Sequence, residues 1–137
     1  MQEPDDFRSV PRGELALRTL AMPSHTNPAG DIFGGWIMPL MDLAAGLAAT
    51  GRANGRVVTA AVSQLAFFAP VKVGDAVCCY AELVRVGRSS MTYDIATWVL
   101  PQRLTGARRK VTEAQFTMVA VDENGRPRPL SSGGNAT

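Results

Sequence analysis

Ile32–Ala49 is 18 residues long and almost wholly apolar, yet Asp42 and Pro39 stand inside it. The length approaches that of a membrane span. A carboxylate in mid-span, however, costs about 2.5–3.5 kcal/mol on insertion scales. A helix buried within a protein core is the cheaper solution. From Trp36 to Ala49 the residues are mostly good helix formers, and Pro39 falls near the first turn, where proline is tolerated. The spacing predicts a helix over residues 35–50, with Gly51–Gly55 as its stop. Such a helix is apolar around nearly its whole circumference, so other structure is expected to wrap it.

After Arg56 the period changes from helical to alternating. Val57–Phe68 places Val58, Ala60, Val62, Ala66 and Phe68 on one face and Thr59, Ser63, Leu65 and Phe67 on the other. Pro70–Asp75 turns the chain and Ala76–Val86 reads as a strand. Gly87-Arg88-Ser89-Ser90 then reads as a tight hairpin turn. Met91–Leu100 is the next strand, with Tyr93, Ile95 and Val99 on one face and Trp98 on the other. Pro101–Arg109 is a polar connection, and Val111–Val121 a last strand with Phe116 and Met118 on one face. Leu15–Met22 supplies an earlier strand or extended arm. Antiparallel strands in succession need a cover for their apolar face, and the apolar helix is the only candidate. The expected fold is therefore α+β, an antiparallel sheet curled around one central helix. Its edge strands call for capping, and pairing with a second copy is the common way to do it.

A chain of 137 residues suits one domain and leaves no room for a separate cofactor domain. Hydrophobic residues make up 46% of it, which excludes intrinsic disorder; aromatics are only 7%, so the core is built from Val, Leu, Ala and Met. The expected boundaries are an N-terminal arm over 1–13, the domain over 14–130 and a flexible tail over 131–137. Net charge is +2, too small for non-specific nucleic-acid binding, but it is unevenly spread. Residues 1–50 carry three Arg against six acids (net −3), and residues 51–137 carry 11 basic residues against six acids (net +5). A modest basic surface suits a phosphate-bearing small ligand. Cys78 and Cys79 are adjacent on a strand, so a disulfide between them is geometrically poor, and with no apolar leader in Met1–Arg12 the chain reads as cytoplasmic and reduced.

Two features can carry chemistry. Asp42 is the only ionisable residue between Asp31 and Arg52, and Met38, Leu40, Met41, Leu43, Ala44 and Ala45 flank it. Those flanks are expected to remove most solvated faces; a partly desolvated carboxylate has its pKa raised and becomes a usable general base. The second is the glycine-rich run Gly30–Gly35 before the helix. Glycines at a helix start leave backbone N–H groups uncovered where the dipole adds positive potential, a site able to polarise a carbonyl or bind a phosphate. Close packing of the helix against a sheet is the alternative. The lone histidine, His25, has no metal-ligand pattern around it and reads as a solvated loop residue. Arg108-Arg109-Lys110 reads as a solvated basic loop within reach of a phosphorylated ligand. Cys78 and Cys79 read as fillers of a strand.

The run Thr19–Gly46 (TLAMPSHTNPAGDIFGGWIMPLMDLAAG) closely resembles the signature of bacterial single-domain hotdog-fold acyl-CoA thioesterases. The likeness continues through Gly55–Val62, Phe67–Met91 and Lys110–Leu130, so it spans about residues 14–130, with one small length change near Arg52–Asn54. It implies a hotdog fold and hydrolysis of acyl-CoA to a free acid and CoA, with no cofactor and no metal. It also implies roles. Asp42 would be the general base or nucleophile, and Asn27 would orient the thioester or the attacking water. Gly35 and Trp36 would mark the helix start whose N–H polarises the carbonyl, with Thr59 close to that site. Arg88, Ser89 and Ser90 would lie along the CoA phosphates. The acyl chain would run beside the helix near Phe33, Gly34, Met38, Phe67 and Phe68. The likeness further implies a homodimer in which Asn27 and Asp42 of one site come from different subunits, assembled as a trimer of dimers, without nucleic-acid or membrane partners.

Two departures from the family pattern stand out: Pro39, where a polar or small residue is expected, and the altered loop Thr50–Gly55. Two other readings remain open on the sequence. One is a hotdog domain that binds acyl-CoA without turning it over, against which the retained pair Asn27 and Asp42 argues. The other is a hotdog dehydratase, for which His25 lies in the wrong segment.

Overall fold

A computed structural model describes residues 10–32, 34–100 and 107–130 of the chain. The expected arm and tail fall largely on residues 1–9 and 131–137, which lie outside the described residues, as does Phe33. Strand β1 (Glu14–Leu20) is followed by a 3-10 turn at Pro23–His25 and by helix α1 (Gly34–Ala53). Strands β2 (Val57–Phe67), β3 (Ala76–Val86), β4 (Ser90–Leu100) and β5 (Arg109–Ala120) complete the fold. All pairings are antiparallel, and the order across the sheet is β1-β3-β4-β5-β2.

One consequence corrects the sequence reading. β2 and β3 are not neighbours, so Pro70–Asp75 is no hairpin turn; it carries the chain from one edge of the sheet to the other side. Asp75 organises this crossing. Its buried carboxylate accepts the Lys72 N–H at 3.0 Å and faces Arg109 at 3.7 Å, while its carbonyl accepts the Ala21 N–H. Arg109 also donates to the Pro70 carbonyl. The supposed basic loop Arg108-Arg109-Lys110 therefore begins a strand instead. Arg109 is tied to Asp75, and Lys110 pairs with Glu113 at 2.8 Å; Arg108, just before the strand, is exposed.

Helix α1 turns Ile37, Met41, Ala44, Ala45, Ala49 and Ala53 toward the sheet, the i, i+4, i+7 spacing of one helical face. Four of these six are alanines, so the backbone approaches the strands closely. Opposite them lie Tyr93, Ile95 and Val99 of β4 and Phe116 and Met118 of β5, the faces that alternation assigns to the core. The helix runs three residues beyond the expected 50. It passes through Gly51 and stops at Asn54, whose φ of 54° is the left-handed conformation common just past a helix end.

The helix is not wrapped on all sides. Leu43 is 54% exposed and Leu47 51%. β2 is exposed along nearly its whole length on both faces, including Val58, Val62, Leu65 and Phe67. The strict alternation expected there is broken by register shifts at Thr59/Ala61 and Ser63/Ala66, with Gln64 at a φ of 56°. An edge strand has no partner on one side, and bulges bend it. No helix among the described residues is long and apolar enough to cross a membrane.

Candidate active site

Asp42 lies mid-way along α1, on the side that the sheet leaves open, facing Thr59 of β2. In the single chain its carboxylate is exposed, contrary to the expectation that its apolar flanks would cover it. The reason is geometric: Met41, Ala44 and Ala45 point into the sheet, whereas Met38, Leu43 and Leu47 share the open side. The carboxylate is not free to rotate. Thr59 Oγ1 of β2 donates to Asp42 Oδ1 at 2.6 Å, a length typical of a hydroxyl bound to an ionised carboxylate. The bulge directly after Thr59 belongs to the same stretch of edge strand. The structure thus brings together two residues expected in one site, 17 positions apart in the chain.

The start of the helix holds the second group. Gly34, Gly35 and Trp36 supply N–H groups with no intrahelical acceptor, and no acidic side chain sits in the first turn. Around Gly35 the space is open, since a Cβ built there would meet nothing within 4 Å. Gly34 is different: a Cβ there would stand 3.2 Å from the Phe67 ring, so the aromatic lies over the glycine. Pro39 contributes as well. Having no N–H, it leaves the Gly35 carbonyl without its i+4 donor, which loosens the first turn where the glycines can absorb it.

Asn27 sits in the loop before the helix. Its Oδ1 accepts the N–H groups of Ala29 and Asp31 at 2.9 and 3.1 Å, an Asx turn that leaves only the Nδ2 amine of the carboxamide to act on a ligand. No hydrogen bond joins Asn27 to Asp42 within the chain. The loop is nevertheless fixed to the helix start, because His25 stacks on Trp36 with ring centroids 4.4 Å apart and planes 18° from parallel. His25 Nδ1 also accepts the Met22 N–H. The sequence alone reads His25 as a solvated loop residue. Its aromatic partner lies 11 positions away, across a loop, where no spacing rule would pair them.

Phe67 ends β2 and Phe68 follows it. Phe68 is exposed, with Lys110 Nζ 5.7 Å from its ring centre. Arg88, Ser89 and Ser90 do form a hairpin tip, closed by the Gly87 N–H on the Ser90 carbonyl at 2.8 Å, with the Arg88 side chain exposed. The tip is far more constrained than turn chemistry alone requires. The Ser89 carbonyl accepts the Ala120 N–H, and the Arg88 carbonyl accepts the Leu130 N–H. Cys78 and Cys79 are both buried and reduced; Arg18 Nε donates to the Cys78 sulfur at 3.1 Å, and Cys79 lies 3.5 Å from the Thr97 hydroxyl.

The pattern of the thioesterase superfamily matches residues 29–105, which include the helix start, Asp42, Thr59 and the hairpin tip. The acyl-CoA thioester hydrolase YciA of Salmonella typhimurium is 52% identical over 124 residues, 89% of this chain and 93% of that protein. Among solved structures, the hexameric thioesterase of Yersinia pestis superposes with a TM-score of 0.85 at 52% identity, covering 88% of this chain and 98% of that one. A hexameric broad-specificity acyl-coenzyme A thioesterase superposes with the same TM-score at 50% identity, covering 91% of each chain. The likeness thus holds in sequence and in shape, and the chain belongs to the thioesterase superfamily, with a hotdog fold.

Proposed function

We propose that the chain hydrolyses the thioester of acyl-CoA, giving a free carboxylic acid and CoA, at a site built around Asp42. The observation that carries this reading is the Asp42 carboxylate, fixed by Thr59 at 2.6 Å and open to solvent on the helix that begins with bare N–H groups. Relatives at about half identity bear the same activity in their names.

Asp42 either takes a proton from water that attacks the thioester carbon, or attacks that carbon itself to form an anhydride that water opens. In both routes negative charge gathers on the carbonyl oxygen. An N–H at the Gly35–Trp36 helix start faces that charge, and one such donor is typically worth about 3–4 kcal/mol in the transition state. The thiolate of CoA leaves and takes up a proton. Neither route calls for a metal or a cofactor. The Nδ2 of Asn27 supplies a donor for the thioester or the water. The acyl chain lies along the open apolar side of α1, beside Met38 and Phe67, and the CoA phosphates meet Arg88, Ser89 and Ser90.

In this reading the site is completed by a second copy. β2 offers an unpaired edge with Val58, Val62 and Leu65 exposed, and α1 offers Leu43 and Leu47. Pairing through β2 covers both, brings Asn27 of one copy toward Asp42 of the other, and removes water from the carboxylate. Three such dimers would make a hexamer, and the structural relatives are named as hexameric.

The test is thiol release from short and medium acyl-CoAs by the wild type and by Asp42→Ala. Hydrolysis by the wild type and a loss on the order of a thousandfold in the variant are expected. Equal rates from a folded variant would exclude Asp42 chemistry. Saturable acyl-CoA binding without thiol release would make the chain a binding domain.

A further inference from the structure

The segment after β5 has no role in the chemistry above, yet it is tied to both ends of the site. Asp122 accepts the N–H groups of Asn124 and Arg126 at 2.9 and 3.0 Å and turns the chain back on itself. The returning segment lays Arg128 across the end of the helix. Arg128 Nη2 donates to the Ala53 carbonyl at 3.1 Å, and Nε donates to the Val121 carbonyl at 3.2 Å. The Ala53 carbonyl is one of the last four of α1, which have no partner in the helix, and a guanidinium is favoured there by the dipole. The fit is close: Nη1 is shut off from solvent without a partner, and a Cβ on Gly55 would come within 2.6 Å of Nη2.

The same segment holds the hairpin tip by its backbone. The Arg128 N–H donates to the Ala120 carbonyl at 3.0 Å, and the Ala120 N–H donates to the Ser89 carbonyl at 2.8 Å. Two residues on, the Leu130 N–H donates to the Arg88 carbonyl at 2.9 Å. Arg128 thus fastens to the end of α1 the segment that holds the Arg88 carbonyl and pairs with Ala120, which holds that of Ser89.

We propose that Arg128 is a positioning residue for CoA: by locking residues 128–130 onto the end of α1, it sets the hairpin tip at the place where the phosphates of the substrate bind. This rests on the reading of Arg88, Ser89 and Ser90 as the phosphate-binding hairpin. Arg128 does not touch the substrate; it acts through the carbonyls of Arg88 and Ser89. Its loss therefore affects the nucleotide end of the substrate and spares the thioester end.

The experiment compares an acyl-CoA with the acyl-pantetheine thioester of the same acid, which lacks the nucleotide phosphates. Enzymes to compare are the wild type, Arg128→Ala, Arg128→Lys, Gly55→Ala and Arg88→Ala. In Arg128→Ala the KM for acyl-CoA is expected to rise about tenfold with kcat little changed, while the KM for acyl-pantetheine stays near wild type. Arg128→Lys, which keeps a donor for the Ala53 carbonyl, restores part of the loss. Gly55→Ala displaces the guanidinium without removing it and produces the same split, so the proposal stays testable if Arg128→Ala does not fold.

Equal effects on both substrates, or a fall in kcat on both, would show that Arg128 only supports the fold and would overturn the proposal. A selective KM rise in Arg88→Ala with none in the Arg128 and Gly55 variants also overturns it, and leaves the phosphate-binding hairpin standing. No discrimination between the substrates in Arg88→Ala defeats the hairpin reading and this proposal together. Hydrolysis of the thioester by the wild type, read in the same assay, keeps the assigned activity separate from both.

Discussion

Thr59 donates its hydroxyl proton to Asp42 Oδ1 at 2.6 Å, so the edge strand, and not the helix alone, decides where the carboxylate points. With Oδ1 committed, Oδ2 is the oxygen left for water or the thioester carbon. Thr59→Val keeps the shape of the side chain and removes the proton. Its kcat/KM is expected to fall about tenfold, the scale of one hydrogen bond to a charged group, while Thr59→Ser stays near wild type. Thiol release from one acyl-CoA measures both. Wild-type activity in Thr59→Val would mean that the carboxylate needs no such anchor.

The exposure of β2 leads to a prediction about assembly. Val58 and Val62 are each about 40% exposed on a strand with one unpaired edge. An open edge of this kind is a template with which other chains pair. Val62→Lys places a charge in the middle of the seam, where a paired strand would bury it. Light scattering after gel filtration should show monomers where the wild type shows a larger assembly, with activity falling as the monomer fraction grows. Circular dichroism should change little. A variant that keeps both assembly and turnover would move the seam away from β2.

The sequence carried the parts of the fold that obey a period. The apolar helix, the buried faces of β4 and β5 and the Gly87–Ser90 turn all follow from spacing, since one face of each element meets the core. Asp42 stood out because its neighbours are apolar, and Gly34-Gly35 because glycine at a helix start bares the backbone. What spacing cannot carry is anything set by a third element. The crossover that separates β2 from β3, the stacking of His25 on Trp36 and the reach of Arg128 to Ala53 each depend on where distant strands come to lie. The exposure of Asp42 is hidden from spacing for the same reason. Its neighbours in sequence are apolar, but Met38 and Leu43 point to the open side of the helix, which one copy of the chain leaves uncovered.

Gly13, just before β1, allows a sharp stability test. Its φ is +83°, and a Cβ there would stand 2.2 Å from the Ala81 carbonyl oxygen of the neighbouring strand. Gly13→Ala therefore combines backbone strain with a backbone clash that no side-chain motion can relieve. A loss of at least about 2 kcal/mol is expected. Gly125 is the control: its φ is +81°, but nothing lies within 4 Å of the added Cβ, so Gly125→Ala should cost about 1 kcal/mol. Urea unfolding of the two variants separates clash from strain. Equal losses would show that the entry of β1 can shift to make room.

Burial pushes the Cys79 thiol from 9.0 up to about 11; the Thr97 hydroxyl opposes this in part and the neighbouring Cys78 adds to it. Tyr93 is raised in the same direction, first by burial. For both groups the folded state holds its proton longer than the unfolded one, so the unfolded state binds fewer protons as the solution becomes alkaline. Stability is then unaffected by Cys79 below about pH 9, declines as pH rises from there, and has lost about 2–3 kcal/mol of its contribution once pH passes 11. Urea midpoints at pH 8 and pH 10.5 should show the decline, and Cys79→Ala should remove most of it, leaving the part due to Tyr93. The same burial keeps the thiol protonated and out of reach of disulfide reagents at pH 8 until urea opens the core. A slope that Cys79→Ala leaves unchanged would place the alkaline weakness elsewhere in the fold.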